Sequence, residues 1–393
     1  MKIGIVTQYY KSSNYGGLLQ AYALSMFLKK KGYDCEQICF NYYSSPKGRS
    51  FSLSKSLSKR GIVKSFIIAA KRYFIDKLCA ALSHAKEKIN IRIESCRDFR
   101  EDVISHSDSV YDNETIKECQ SYDALITGSD QVWLCNVETF HPGFWLSFAN
   151  EKVRKISYAA SVSMNEIPAE LHDFIRHALN SFNAISVREC SDVKLIGDIV
   201  GNEKEIVQVL DPTLLLERID WFNLCAPNPY RGRKYVFAYL LGAKKEDRAF
   251  IRKFAKKEGL EIVFIPYMQN KYRSCDLFFG DIRLNDVSPQ LFLSLIRDAS
   301  CVITDSFHGT VFSNIFHVNF LVLKRNSDTS KKSMNSRLYS LLNMLKIEDR
   351  LISNDFSEQT LKNLPTIDFD TIDALIDDEK KKSETFLNNA LRC

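Results

Sequence analysis

Short apolar runs alternate with helical segments along this chain, in two successive series, and that alternation limits the fold more than any other feature. The first series opens with a strand at Met1–Thr7. The turn Asn14-Tyr15-Gly16-Gly17 follows, then a helix from about Leu18 to Lys31 that Gly32 stops. Further strands read at Cys35–Phe40, Ala124–Thr127, Lys155–Ala160, Ala184–Val187 and Gln208–Leu210. Strands this apolar, separated by helices, predict a largely parallel sheet covered on both faces. The run Cys225–Gly232, with two prolines, a glycine and polar residues, reads as a linker. The second series then gives strands at Tyr235–Leu241, Glu261–Pro266, Cys301–Thr304 and Val318–Lys324. Its helices are expected near Asp247–Glu258, over Pro289–Asp298 and from Gly309. The expected organisation is α/β, with two Rossmann-like domains over 1–225 and 233–370. A helix over Thr371–Leu391, within 371–393, could pack back across the first domain. In such folds small ligands bind beyond the carboxyl ends of strands, here between the domains.

The bulk properties agree with an ordinary globular protein. The chain has 393 residues, 45% of them apolar and 26% charged. Its 11 cysteines are scattered without Cys-x-x-Cys or metal-ligand spacing, which predicts a reduced, intracellular protein. Met1–Thr7 lacks the apolar region of a signal peptide, and no run of about 18 apolar residues could span a bilayer. A cytoplasmic location is therefore expected.

The segment Cys301–Asn314 carries the strongest chemical signal. A buried strand, a polar turn and a helix start place Asp305, Ser306, His308, Gly309 and Thr310 together. Free N–H groups and the dipole at a helix N-terminus favour an anion, and a neighbouring histidine can move protons near neutral pH. The residue types suggest chemistry on a phosphorylated or carboxylated small molecule. A histidine that simply hydrogen-bonds within the fold fits the same position.

Charge is uneven. Within a formal net of +6, the stretch Lys47–Arg92 holds twelve Lys and Arg against Asp76 and Glu87. Inside this basic insertion (about 47–100), Val63, Phe66, Ile67, Ala70, Phe74, Leu78 and Ala81 recur at helical spacing. Arg60, Lys64, Lys71, Arg72 and Lys77 flank them. Such a helix either lies on an anionic membrane surface or packs its apolar stripe on the core. No nucleic-acid-binding motif accompanies it, so no nucleic-acid partner is expected.

Five stretches in order resemble the polysaccharide pyruvyl transferase family. They are Asn14-Tyr15-Gly16-Gly17 with Gln20 and Tyr22-Ala23-Leu24; Gly128-Ser129-Asp130-Gln131-Val132-Trp133; Tyr158-Ala159-Ala160-Ser161; Ser186-Val187-Arg188-Glu189; and Asp211-Pro212-Thr213 followed by Asp305-Ser306-Phe307-His308-Gly309. The resemblance implies a fold like the two-domain GT-B glycosyltransferases, phosphoenolpyruvate as donor and a sugar or lipid-linked oligosaccharide as acceptor. It implies no metal or tightly bound organic cofactor. Pyruvate would end as a ketal bridging two sugar hydroxyls.

On that resemblance His308 is the general acid/base or a hydrogen-bonding group on the phosphate. Arg188 would meet the donor's anionic groups. Asp130 could orient a sugar hydroxyl, act as base, or cap a helix. Ser129 and Gln131 would face the same cleft, and the turn of Asn14, Gly16 and Gly17 either approaches the acceptor or its phosphate or is simply a tight turn. Trp133 reads as stacking or core, and Asp211-Pro212-Thr213 as shaping a strand end. In the better-known branch of the family, Arg-Leu precedes the histidine. Here Ser306 and Phe307 stand there, and a serine hydroxyl supplies no charge. Lys324, Arg325 and Arg337 are the candidate replacements. The polar run Arg325–Asn335 reads equally as a lid or a surface loop. A lipid-linked acceptor at the inner face of the cytoplasmic membrane would account for the basic helix. Two alternatives stay open: a glycosyltransferase using a nucleotide sugar, and a non-catalytic protein that binds an anionic sugar or assembles a complex.

Overall fold

A computed structural model describes residues 1–42, 85–136, 140–201, 204–267, 273–326, 335–352 and 364–392. The apolar stripe Val63–Ala81 with its flanking basic residues, and most of the Arg325–Asn335 run, lie outside the described residues.

The first series builds β1 (Lys2–Val6), α1 (Tyr15–Lys30), β2 (Asp34–Phe40), α2 (Ala85–Asp102), β3 (His106–Tyr111), β4 (Ala124–Thr127) and β5 (Arg154–Ser157). The strands form one parallel sheet in the order β3-β2-β1-β4-β5. Next come α3 (His172–Asn180), β6 (Ile185–Val187), α4 (Cys190–Val200), β7 (Ile206–Gln208) and α5 (Arg218–Leu224). The β6–β7 pair extends the sheet at its β5 edge, through bridges Ile156↔Ala184 and Ala160↔Val187. The Cys225–Gly232 segment leads from α5 into the second series.

That series comprises β8 (Tyr235–Tyr239), α6 (Lys245–Glu258), β9 (Glu261–Phe264), β10 (Ile282–Arg283), α7 (Pro289–Arg297), β11 (Cys301–Thr304), α8 (Phe307–Ile315), β12 (Phe320–Leu323), α9 (Ser336–Leu345) and β13 (Leu351–Ile352). All six strands are parallel, in the order β10-β9-β8-β11-β12-β13. Every residue of β8, β11 and β12 is buried, as expected of strands covered on both faces. The two-sheet α/β architecture matches the reading of the sequence.

Both sheets reverse direction of growth at their first strand, between β1 and β4 and between β8 and β11. A crevice opens at such a switch point beyond the carboxyl ends of the strands. The two crevices face each other. The Tyr15 hydroxyl donates to the Val287 carbonyl at 2.8 Å, and the Tyr15 ring stacks on Phe292 with centroids 4.5 Å apart. Helix α2 also reaches across, where Ser95 Oγ donates to Asp286 Oδ1 at 2.5 Å. The last helix, α10 (Phe369–Leu391), closes the back. Its Ser383 Oγ accepts from the Leu210 N–H at 2.9 Å, and Arg154 donates to the Ala390 carbonyl at 3.0 Å.

Three local expectations change. Helix α1 begins at Tyr15, so Gly16 and Gly17 sit in its first turn rather than in a loop. Packing demands a glycine at 16, where a Cβ would stand 2.0 Å from His308 Nδ1; a Cβ on Gly17 would make a tight contact of 3.1 Å with the Gln8 carbonyl. The strand expected at Gln208–Leu210 is Ile206–Gln208, because chain pairing with β6 starts earlier. The strand β3 was illegible in sequence because His-Ser-Asp-Ser-Val-Tyr is an edge strand, and three of its six residues are exposed.

Candidate active site

The second sheet contributes the turn from β11 into α8. Thr304 Oγ1 donates to the Tyr239 carbonyl at 2.6 Å and accepts from the Ser306 N–H at 3.1 Å. Ser306 is the N-cap of α8, its Oγ accepting from the Gly309 N–H at 3.3 Å. Thr310 Oγ1 donates back to the Ser306 carbonyl at 3.1 Å. Asp305 turns the other way and accepts from the N–H groups of Leu241 and Gly242, each at 2.6 Å. The Gly309 N–H, expected to await an anion, is thus already engaged by the Ser306 hydroxyl. Ser306, Gly309 and Thr310 hold the turn, and the side chain they aim into the crevice is His308.

The first sheet meets it from below. Asp211, just past β7, spends one carboxylate oxygen on its own turn, accepting from Thr213 N at 3.0 Å and Thr213 Oγ1 at 2.7 Å. Its other oxygen accepts from Arg188 Nη1 at 2.8 Å and from Ser129 Oγ at 3.2 Å, and lies 3.6 Å from His308 Nε2. Arg188, leaving β6, also donates to Glu189 at 2.7 Å and approaches Asp130 at 3.6 Å. Asp130 follows β4, where Gln20 fixes the Ser129 N–H at 3.0 Å. Arg337, on the first turn of α9, reaches within 3.9 Å of Asp130.

All these side chains are buried, yet Asp130 Oδ1, Arg188 Nη2, Glu189 Oε2, His308 Nε2 and Arg337 Nε have no hydrogen-bond partner. Buried polar atoms are nearly always paired, so five open valences in one place mark a site built for something else. Beside them a narrow cavity of about 20 Å³ runs between Arg188, Glu189, Asp211, Phe307 and Arg337.

A family model described as polysaccharide pyruvyl transferase matches residues 14–327, the greater part of the chain and all of this constellation except Arg337. The chain belongs to the polysaccharide pyruvyl transferase family. It is a transferase, and its family acts on polysaccharide. No curated protein matches it in sequence. Solved structures similar to it include the UDP-GlcNAc 2-epimerase of Methanocaldococcus jannaschii, at 12% identity and TM-score 0.48, covering 96% of this chain and 99% of that one. The UDP-GlcNAc 2-epimerase of Neisseria meningitidis gives 10% identity and TM-score 0.46, covering 99% and 100%. MurG of Acinetobacter baumannii gives 8% identity and TM-score 0.41, covering 98% and 99%.

Within this pyruvyl transferase fold, the charges fall into two groups. Burial would lower the pKa of Arg188, but Glu189, Asp211 and Asp130 reverse that and hold it above its ordinary value. Burial would raise Asp211, yet His308, Arg188 and the Thr213 donors outweigh it and hold its carboxyl well below the usual range. Arg337 is the opposite case. Burial and the repulsion of Arg325 and Arg188 bring it down to about 10, with only partial relief from Asp130 and Glu189. Behind Glu189, burial and the Glu189 carboxyl push Asp192 up to about 9.

The structure therefore brings Ser129, Asp130, Arg188, His308, Gly16 and Arg337 together. Arg325 donates its Nη2 to the Asp305 carbonyl at 3.0 Å and lies near enough to Arg337 to repel it. Lys324 turns to the Tyr339 ring, 5.3 Å from its centroid. Gln131 offers its main-chain carbonyl to Gln8 at 3.0 Å. Asn14 is the N-cap of α1 but caps no N–H with its side chain. Trp133 is fully buried and stacks on Trp145, so it belongs to the core. Phe307, in place of leucine, lies under the Arg188 guanidinium at 4.2 Å. Asp211, Glu189 and Asp192 were missed as site residues. Only the Asp-Pro-Thr turn hinted at the first, since a carboxylate capping its own turn still has one free oxygen.

Proposed function

We propose that this transferase takes pyruvate from phosphoenolpyruvate and joins it, as a ketal, to two hydroxyls of a sugar in a polysaccharide precursor. The observation that carries this reading is Arg337, a buried guanidinium whose Nε has no hydrogen-bond partner and whose Nη1 lies 3.9 Å from Asp130. Phosphoenolpyruvate brings a phosphate and a carboxylate, and a buried guanidinium that Asp130 and Glu189 only partly offset is suited to such an anion. Arg337 thus stands in for the arginine that Ser306 lacks. Arg188, already neutralised by carboxylates, offers its open Nη2 to one further oxygen.

The chemistry divides between His308 and Asp130. His308, 3.6 Å from Asp211, gives a proton to C3 and leaves C2 electron-poor. A sugar hydroxyl attacks C2, its proton passing to the open Oδ1 of Asp130. The C2–O bond to phosphate then breaks, and the second hydroxyl closes the ketal. Of the two hydroxyl protons, one replaces that given to C3 and the other leaves with phosphate, so the cycle closes without a resident cofactor. A lipid-linked acceptor at the inner membrane face would offer the basic run Lys47–Lys88 of the sequence an anionic surface.

Release of phosphate from phosphoenolpyruvate, measured against a panel of sugars, sugar phosphates and prenyl diphosphate sugars, tests the reading. Acceptor-dependent release that His308→Ala abolishes supports it. Sugar transfer from a UDP-sugar by the same preparation, with phosphoenolpyruvate inert, contradicts it.

A further inference from the structure

Helix α4 begins with two carboxyls that meet. Glu189 is its N-cap and Asp192 its third residue, and a spacing of three at a helix start brings such side chains together. In a capping box each would take a backbone N–H of that turn. Here they go elsewhere. Glu189 caps no N–H with its side chain, and its Oε1 accepts from Arg188 Nε at 2.7 Å. Asp192 reaches outside the helix to the Val162 N–H at 2.8 Å and also accepts from Ser191 Oγ at 3.3 Å.

Both residues are 1% exposed. Their carboxyls are within hydrogen-bond reach of each other, yet no donor reaches Glu189 Oε2. Two buried carboxylates in contact cannot both stay ionised. One proton on Asp192 answers both facts, since it removes a charge and gives Glu189 Oε2 its missing donor. Burial and the Glu189 charge push Asp192 up to about 9, in the same sense. Of the other titratable groups around the pair, the Cys135 thiol acts on Asp192 and is itself pushed up to about 12 by burial, so it stays neutral. The Arg188 and Arg337 guanidiniums act on Glu189 and keep the negative charge there.

The proton bears on the site through charge. Arg188 and Arg337 already face three carboxylates, Asp130, Glu189 and Asp211. A fourth, on Asp192, would oppose an anionic donor and repel Glu189 from its place on Arg188.

We propose that Glu189 and Asp192 share one proton, and that Asp192 is thereby a positioning residue for the donor: its proton keeps Glu189 on Arg188 and holds the site at a charge that admits an anion. This rests on the phosphoenolpyruvate reading given above and adds the protonation state in which the site takes that donor. An anion in the site favours the protonated pair. Donor affinity therefore falls as the proton is lost on the alkaline side, and by the same linkage donor binding draws a proton in there.

Calorimetric titration of the full chain with phosphoenolpyruvate, at about pH 7.5 and about pH 9.5 and in buffers of different ionisation enthalpy, tests it. The comparison is with Asp192→Asn, whose amide gives Glu189 a permanent donor and keeps an acceptor for Val162. Affinity of the unaltered protein should fall roughly tenfold between the two conditions, the effect of one buried charge on a nearby anion, and that of Asp192→Asn by no more than about threefold. The unaltered protein should take up more proton on binding at the higher pH than Asp192→Asn. Every other titrating group, Arg337 included, is common to both proteins, so the difference isolates the pair. Asp192→Ala, which leaves Glu189 Oε2 without a donor, should bind roughly tenfold more weakly at the lower pH, where Asp192→Asn stays within about twofold. If Asp192→Ala does not fold, the asparagine comparison decides alone. The same pH dependence in the unaltered protein and Asp192→Asn overturns the proposal, as does unchanged binding by a folded Asp192→Ala. If phosphoenolpyruvate does not bind the unaltered protein at all, the donor reading fails, and infrared spectroscopy judges the pair without ligand. A protonated-carboxyl band near neutral pH that Asp192→Asn lacks upholds the shared proton, and identical spectra overturn it.

Discussion

At the residue scale, the site sets Arg188, offset by three carboxylates, beside Arg337, which Asp130 and Glu189 offset only in part. Asp211 ties His308 to Arg188, and its depressed pKa means that it adds stability above the ordinary carboxylate range and loses it as pH falls below. Asp192 has the reverse sign. Its carboxyl is pushed up to about 9, so between its ordinary value and there the folded protein holds a proton that the unfolded chain has lost. Stability therefore falls as pH rises across that window. Asp192→Asn keeps an acceptor for the Val162 N–H, now bonded at 2.8 Å, and removes the titration. Its melting temperature should decline less than that of the unaltered protein between about pH 5 and pH 9. Parallel declines would show that Asp192 is ionised throughout.

At the element scale, the two helix starts make separate predictions. Ser306→Ala removes the α8 cap and should cost about 1 kcal/mol in denaturant titration. Phosphoenolpyruvate affinity should barely change, because that hydroxyl is turned into the helix; a tenfold loss would return Ser306 to the donor site. Gly16→Ala drives a methyl into the His308 ring, 2.0 Å from Nδ1 on the present backbone. It should cost about 1–3 kcal/mol and remove turnover by tilting the imidazole; full activity would show that His308 has room to move. The strands and helices were legible wherever apolar period decided them: Ala124–Thr127 and Cys301–Thr304 were read to the residue. The edge strand His106–Tyr111 was not, since exposure erases the pattern. The same limit applies to the site. His308, Asp130 and Arg188 follow strand ends that motifs reveal. Arg337 was one of three candidate cations that sequence could not rank.

At the scale of the molecule, the two sheets close on a cavity of about 20 Å³, room for a water but not for phosphoenolpyruvate. On the proposed reaction the switch-point crevices part for the donor to enter, and Tyr15–Phe292 and Ser95–Asp286 are among the contacts that cross between them. Small-angle scattering should therefore report a less compact particle with phosphoenolpyruvate bound than without ligand. Superimposable profiles would mean that the donor reaches the site by local motion alone. The measurement that tests the central claim most directly is calorimetric titration with phosphoenolpyruvate, beside UDP-glucose and inorganic phosphate, on the unaltered protein and on Arg337→Gln. Saturable binding of phosphoenolpyruvate that the variant loses is the result this account predicts. Binding of UDP-glucose with no response to phosphoenolpyruvate, or phosphoenolpyruvate affinity unchanged by Arg337→Gln, would contradict it.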